Sequence, residues 1–358
     1  MLKARAAIRE LSAYRPPLAG RVGLRLDFNE NTQGPSPRVL RRMRELDGED
    51  LARYPEREPV ERLTADFLGI DPQELLLTNG IDEGIQLLCQ TYLEAGNQAL
   101  VVVPTFAMYK LLAASTGARV IQVPMLPEFR FPTEQLLNRI TPETRLVAVA
   151  NPNNPTGAVA EPGDIQRVAR EAGHAAILVD EAYFEFYGET ILPEIRRLPN
   201  LFVARTFSKA YGMAGLRIGV LAGAEEQVKM IRNVASPYNV NAAALACLPV
   251  ALEDREFVKH YVEEVRLGRE KLAEVLCTLG VRHWPSQANF LLAHFGRCAQ
   301  AFVAAMASRG ILVRDRSSDP GCDGCVRITI GTTKQMDHML PILESIVRAM
   351  PLEERSLA

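Results

Sequence analysis

The sequence predicts an α/β fold: a large unit with a mostly parallel central sheet flanked by helices, joined to a smaller α+β C-terminal unit. Three observations carry this. Between residues 74 and 222, apolar runs of strand length alternate with stretches of helical character. Such near-continuous apolar strands belong to a parallel sheet covered on both faces. Polar and glycine-rich clusters recur where these runs end, which is where ligands bind in open α/β sheets. After residue 240 the alternation gives way to long helices and a few short strands.

Taken in order, residues 74–78, 98–103, 118–123, 145–150, 175–180 and 201–206 read as strands, with helices at 82–93, 106–115 and 162–171. Helices are expected at 242–252 and 255–279, then a strand at 289–293 and a helix at 299–309. Short strands at 311–314 and 326–330 and a closing helix at 333–350 complete the chain. The expected organisation is an N-terminal arm (1–28) packing near the small unit, a large unit (29–254) and a small unit (255–358).

Bulk properties exclude several classes. The 358 residues are 47% hydrophobic and 23% charged with a net charge of −2, the balance of an ordinary globular protein. No basic run points to nucleic acid, and no apolar stretch reaches the length of a membrane span. The start, Met1 to Glu10, is broken by charges and lacks a signal-peptide core, so a cytoplasmic location is expected. Six scattered cysteines fit a reducing compartment. Cys322 and Cys325 form a lone C-x-x-C without two further ligands nearby, and read as a turn with two incidental thiols; no metal is expected.

The chemistry concentrates in five segments. Thr206-Phe207-Ser208-Lys209 follows an apolar strand, with Arg217 eight residues past the lysine. Burial disfavours the ammonium, so a lysine here becomes a usable base and nucleophile able to capture an aldehyde. The hydroxyls and Arg217 suit a phosphate monoester. Together they suggest pyridoxal 5'-phosphate (PLP), although the lysine alone reads equally well as a loop residue. Gly80-Ile81-Asp82 opens a helix after a strand, where free N–H groups can hold phosphate. Asn154 sits in the turn-rich block Asn151-Pro152-Asn153-Asn154-Pro155-Thr156-Gly157 and could donate to a phenolate oxygen. Asp180 ends a buried strand and would pair with a pyridinium nitrogen, with Tyr183 nearby as a second donor to the ring oxygen; Phe106 could stack on a planar ring. Arg314 and Arg327 lie in apolar strands, and a guanidinium there either meets a structural carboxylate or faces a cleft.

In this order the segments resemble the PLP-dependent aminotransferases of fold type I, and within them the histidinol-phosphate aminotransferase branch. The match runs from Leu11-Ser12-Ala13-Tyr14 through Asn29-Glu30-Asn31, Arg53-Tyr54-Pro55-Glu56 and the blocks above to Ile311-Leu312-Val313-Arg314-Asp315 and Arg327-Ile328-Thr329-Ile330-Gly331. The resemblance implies that Lys209 holds PLP and moves the Cα proton, while Asp180 pairs with the pyridine nitrogen. It implies that Asn154 and Tyr183 contact the ring oxygen and that Phe106 stacks on the ring. Gly80, Ile81, Asp82, Thr206, Ser208 and Arg217 would hold the phosphate. Tyr54 would reach it from the neighbouring subunit of a homodimer with a shared active site. Tyr14, Asn29, Arg314 and Arg327 would line the substrate side, Arg327 taking the anionic end.

The implied reaction transfers the amino group of histidinol phosphate to 2-oxoglutarate, giving imidazole-acetol phosphate and glutamate, a step of histidine biosynthesis. Two departures bear on it. Ile81 stands where the family often has a small residue, which removes a side-chain contact but keeps the backbone N–H. Thr32-Gln33 replaces a commoner proline-containing pair beside the substrate segment, which touches substrate choice. An aromatic amino-acid aminotransferase and a threonine-phosphate decarboxylase share the same architecture. A non-catalytic PLP-binding regulator would need a DNA-binding domain, and only about 25 residues precede the first motif.

Overall fold

The computed structural model describes residues 2–17 and 20–351. Residues 1, 18, 19 and 352–358, which belong to the expected arm and small unit, lie outside the described residues. The strands are β1 (Leu24–Arg25), β2 (Leu75–Thr78), β3 (Gln98–Val103), β4 (Arg119–Pro124), β5 (Thr144–Ala150), β6 (Ala176–Asp180), β7 (Leu201–Thr206), β8 (Gly219–Gly223), β9 (Phe290–His294), β10 (Ile311–Leu312), β11 (Arg314–Asp315) and β12 (Cys325–Thr329).

A seven-stranded sheet forms the centre, in the order β2-β8-β7-β6-β5-β3-β4. β4, β3, β5, β6 and β7 pair in parallel; β8 runs antiparallel to both β2 and β7. β8 is the sheet strand that the alternation pattern does not reveal. Its sequence, Gly219-Val220-Leu221-Ala222-Gly223, is short and flanked by glycine, and so reads as a turn. Gly219 needs to be small: a Cβ there would lie 3.0 Å from the Ile81 backbone nitrogen.

Successive side chains of a strand point to opposite faces, and the central strands follow this. Ala176 and Leu178 of β6 join one apolar cluster, Ile177 and Val179 another. Both are buried, which explains the continuous apolar run. A second sheet, β11-β12-β9, is antiparallel and packs with the helices Ala299–Ser308 and Thr333–Arg348. Leu24 and Arg25 pair in parallel with Ile311 and Leu312, so the segment just before residue 28 adds a strand to the C-terminal region. The helix Arg255–Thr278 runs 24 residues from the large sheet's flank to β9. The expected 311–314 strand divides: β10 pairs with β1, whereas β11 pairs with β12. Element ends otherwise fall within a residue or two of the sequence reading, the usual fraying of such boundaries.

Among the described residues no helix is long and apolar enough to cross a membrane. Cys322 and Cys325 are both buried.

Candidate active site

Lys209 leaves the C-terminal end of β7 and is partly buried. Its Nζ donates to the Phe28 carbonyl at 3.1 Å. Burial lowers its pKa to about 8; nearby Arg327 and Arg217 push the same way, while Glu30 and Asp180 oppose. At pH 7 about a tenth is therefore the free amine, far more than for an ordinary lysine, and this is the form that attacks carbonyl carbon and accepts protons.

Asp180 is the last residue of β6, beside β7 in the sheet. The Tyr109 hydroxyl donates to Oδ2 at 2.5 Å and the Ala182 N–H to Oδ1 at 3.0 Å. Burial raises the Asp180 carboxyl to about 6, although both hydrogen bonds favour the ionised form. Among the described residues no lysine, arginine or histidine forms an ion pair with it. A desolvated carboxylate of this kind suits a cation brought by a ligand.

Tyr183 and Asn29 meet in the buried floor. Asn29 Nδ2 donates to the Tyr183 hydroxyl oxygen at 2.9 Å, leaving the phenolic hydrogen free to donate elsewhere. Asn29 has φ of 55°, a left-handed conformation that asparagine tolerates better than most residues. Thr329 donates to its Oδ1 at 3.0 Å and Asn289 to its backbone carbonyl at 3.1 Å, so Tyr183 and Thr329 fix the side chain while Asn289 holds the backbone.

Arg327 is buried in β12. It donates from Nη1 to Asn154 Oδ1 at 2.5 Å and from Nη2 to the Asp27 carbonyl at 2.6 Å. The first bond orients the Asn154 amide, whose Nδ2 stays unengaged. Burial lowers the Arg327 pKa to about 10, and Arg316 adds to the shift. Nε is buried without a partner. Arg314 stands directly opposite Arg327 across the β11–β12 pair. Like charges facing one another on adjacent strands are destabilising. The pair makes physical sense where an anion is to be held. The Phe28 ring lies beneath both Arg21, at 4.2 Å, and Arg314, at 5.3 Å.

The turn Gly80-Ile81-Asp82 begins the helix Gly80–Tyr92 after β2. Gly80 has φ of +75°, and a Cβ there would come within 2.7 Å of Arg217 Nη2. The missing side chain thus lets the guanidinium lie directly against the helix start. Arg217 itself is left-handed (φ 54°), which turns its side chain back to Asp82, Nη2 to Oδ2 at 3.1 Å. Thr206 and Ser208 are buried beside the turn, and Thr206 Oγ1 accepts from the Ser208 N–H at 3.1 Å. Unengaged helix-start N–H groups, hydroxyls and an arginine are what a phosphate dianion requires.

Phe106 is half-buried, edge-on to Tyr109 at 5.7 Å. Two expected residues stand apart. Tyr14 is 42% exposed, with no hydrogen bond or ring contact tying it to the cluster among the described residues; Tyr54 is 77% exposed and stacks on Tyr238 at 4.1 Å. Sequence reasoning missed Tyr109. The available signal was its spacing: three residues past Phe106, it lies on the same helical face. It also missed Asn289 and Thr329, whose partners are some 260 and 300 residues away.

The residues of this site hang on the carboxyl ends of β2, β3, β5, β6 and β7, completed by β12 and the segment around residues 27–29: the plan of a fold type I aminotransferase. The aminotransferase class I and II family matches residues 21–343. The histidinol-phosphate aminotransferase of Geobacillus sp. (strain WCH70) is 33% identical over 338 residues, 92% of this chain and 91% of that protein. The one from Roseiflexus castenholzii is 34% identical over 364 residues, 96% and 97% of the two chains. The crystal structure of the Sinorhizobium meliloti histidinol-phosphate aminotransferase in complex with pyridoxal-5'-phosphate superposes with a TM-score of 0.90 at 26% identity, covering 98% of this chain and 99% of that one. The chain belongs to the class I and II aminotransferase family.

Proposed function

We propose that this protein is a PLP-dependent transaminase that moves the amino group of L-histidinol phosphate to 2-oxoglutarate, giving imidazole-acetol phosphate and L-glutamate. PLP, when bound, supplies an aldehyde and an electron-withdrawing pyridinium ring. Lys209 Nζ would hold the aldehyde carbon and, as the free amine, would carry the proton from substrate Cα. Asp180, held by Tyr109, would pair with the ring nitrogen and keep it protonated. Asn154 Nδ2 and the Tyr183 hydroxyl would donate to the ring oxygen, and Phe106 would stack on the ring. The N–H groups of Gly80, Ile81 and Asp82, with Thr206, Ser208 and Arg217, bind the phosphate. The close approach of the Arg217 guanidinium to Gly80 at the helix start, and an Asp180 carboxylate without a cationic partner among the described residues, support this fit.

The observation that carries the substrate reading is the Arg314–Arg327 pair. Both substrates must present an anion to one site: the phosphate of histidinol phosphate in one half-reaction, a carboxylate of 2-oxoglutarate in the other. Asn29 and Tyr14 complete that side in this reading. The kinetics are therefore ping-pong. We further propose a cytoplasmic homodimer in which exposed Tyr54 reaches the partner's phosphate site. The large cofactor unit is taken as 29–254, with the arm 1–28 packing near the small unit 255–358. The test is to mix the PLP-loaded enzyme with single amines and follow the cofactor absorbance. Histidinol phosphate should bleach it at low concentration. Bleaching by phenylalanine but not by histidinol phosphate would overturn the substrate; carbon dioxide release from threonine phosphate without 2-oxoglutarate would overturn the reaction.

A further inference from the structure

Thr206 of β7 belongs to the site above, but its neighbour Arg205 points to the other face of the sheet, as strand alternation requires. There it helps to line a cavity of about 420 Å³, within the range of small-ligand pockets. No residue assigned above to the active site lines this cavity. Its walls come from Phe67 and Leu68, which end the helix Glu58–Leu68, from Phe184, and from Leu192 and Ile195 before β7.

Three arginines reach it, and their charges are not equally spent. Arg196 is tied to Asp71 and Glu74. Arg205, only 8% exposed in its side chain, donates from Nε to Glu181 at 3.0 Å and from Nη2 to Thr190 at 2.7 Å, with its guanidinium 3.6 Å from the Phe184 ring centroid. Its Nη1 makes no hydrogen bond, yet is not among the atoms sealed in protein without a partner. Among the described residues Arg255 has no carboxylate partner; it lies 4.9 Å from the Phe67 ring centroid and is the first residue of the long helix Arg255–Thr278. The helix start adds positive potential. Glu185 lies close enough to Arg205 to act on it but does not line the cavity.

A guanidinium stacked on an aromatic face keeps its edge free for a bidentate anion. Arg255 offers such an edge and Arg205 adds its one free nitrogen, Nη1; over an apolar lining they define an amphipathic ligand rather than a bare inorganic ion. We propose that this cavity is a second binding site, taking a small organic carboxylate with an aromatic or branched-aliphatic body. The carboxylate lies between Arg255 and Nη1 of Arg205, and the body lies against Phe67, Leu68 and Leu192.

The probe is 3-phenylpropionate, titrated calorimetrically into the PLP-loaded enzyme. Saturable binding is expected. Arg255→Gln should weaken it at least about tenfold, the effect of losing a charge-assisted hydrogen bond, with turnover unchanged. Arg327→Lys should leave it intact, and the neutral amide of the probe should bind at least as poorly as the acid binds to Arg255→Gln. No saturable binding, or binding lost in Arg327→Lys but kept in Arg255→Gln, would overturn the site. Should Arg255→Gln fold poorly, a crystal of the wild-type protein soaked with 3-(4-bromophenyl)propionate decides. An anomalous bromine peak beside Phe67 supports the site, and a peak confined to the Lys209 cleft refutes it.

Discussion

Tyr109 donates its hydroxyl hydrogen to Oδ2 of Asp180 at 2.5 Å, with both groups buried. The bond favours the ionised carboxylate, against a burial effect that lifts it to about 6. Tyr109→Phe removes that support while filling the same space. The Asp180 pKa then rises further, so the acid limb of the kcat profile moves to higher pH. At its plateau kcat falls by about tenfold to a hundredfold, the worth of a hydrogen bond to a charged group. A change in melting temperature with no movement of the acid limb would show a packing role only.

Lys209 gives a prediction for the cofactor-free protein. Its folded pKa, about 8, lies below the ordinary lysine value, so the unfolded chain binds more protons in between. The resulting destabilisation is full below about pH 8 and fades as pH rises toward the ordinary lysine range. Lys209→Met should therefore raise the Tm of the cofactor-free protein at pH 7, and the gain should vanish by about pH 11. Differential scanning calorimetry across that range checks it; a gain independent of pH would show that charge burial is not the cause. The same variant should lose catalysis by at least about a hundredfold, the low end of what a positioned base contributes.

Gly80→Ala places a methyl 2.7 Å from Arg217 Nη2, at a φ of +75° that alanine resists. Stability should fall by about 1 kcal/mol. PLP should dissociate at least about tenfold faster, because the arginine is displaced from the helix start. Dialysis of the loaded protein, followed by cofactor absorbance, measures the rate. Unchanged retention would remove this turn from the phosphate site.

Arg327→Lys keeps a charge but loses the fork that spans Asn154 and Asp27. KM for both substrates should rise by about tenfold or more, whereas Arg314→Lys, at a half-exposed position, should have a smaller effect. Steady-state kinetics with each substrate varied in turn separates the two. An effect on one substrate alone would show that the anions do not share this site.

Tyr54 tests the shared site. Mixed dimers of Lys209→Met and Tyr54→Ala subunits carry one site with both native residues if Tyr54 acts across the interface, and none if it acts within its own chain. Recovered activity on mixing the two weakened variants, measured after subunit exchange, is the expected result.

The sequence by itself determined the sheet and the positions of its reactive residues. Apolar runs must be buried on both faces, which makes them central parallel strands, and their carboxyl ends then carry Gly80, Phe106, Asn154, Asp180 and Lys209. Local composition also announced Lys209 as a lysine at the mouth of a buried strand. Only the tertiary structure decided how these groups are held. Tyr109 is not singled out by the sequence, and its bond to Asp180 spans 71 positions. Asn29 is oriented by Thr329 and Asn289, and Asn154 by Arg327, through contacts that no periodicity encodes. The glycine-flanked β8 stayed hidden because the glycines at both its ends signal turns rather than a strand. Hydrophobic patterning is local and is written in consecutive residues. The aim and charge of a buried polar group depend on partners brought near by the fold, and burial moved Lys209 to about 8 only once the chain had closed around it.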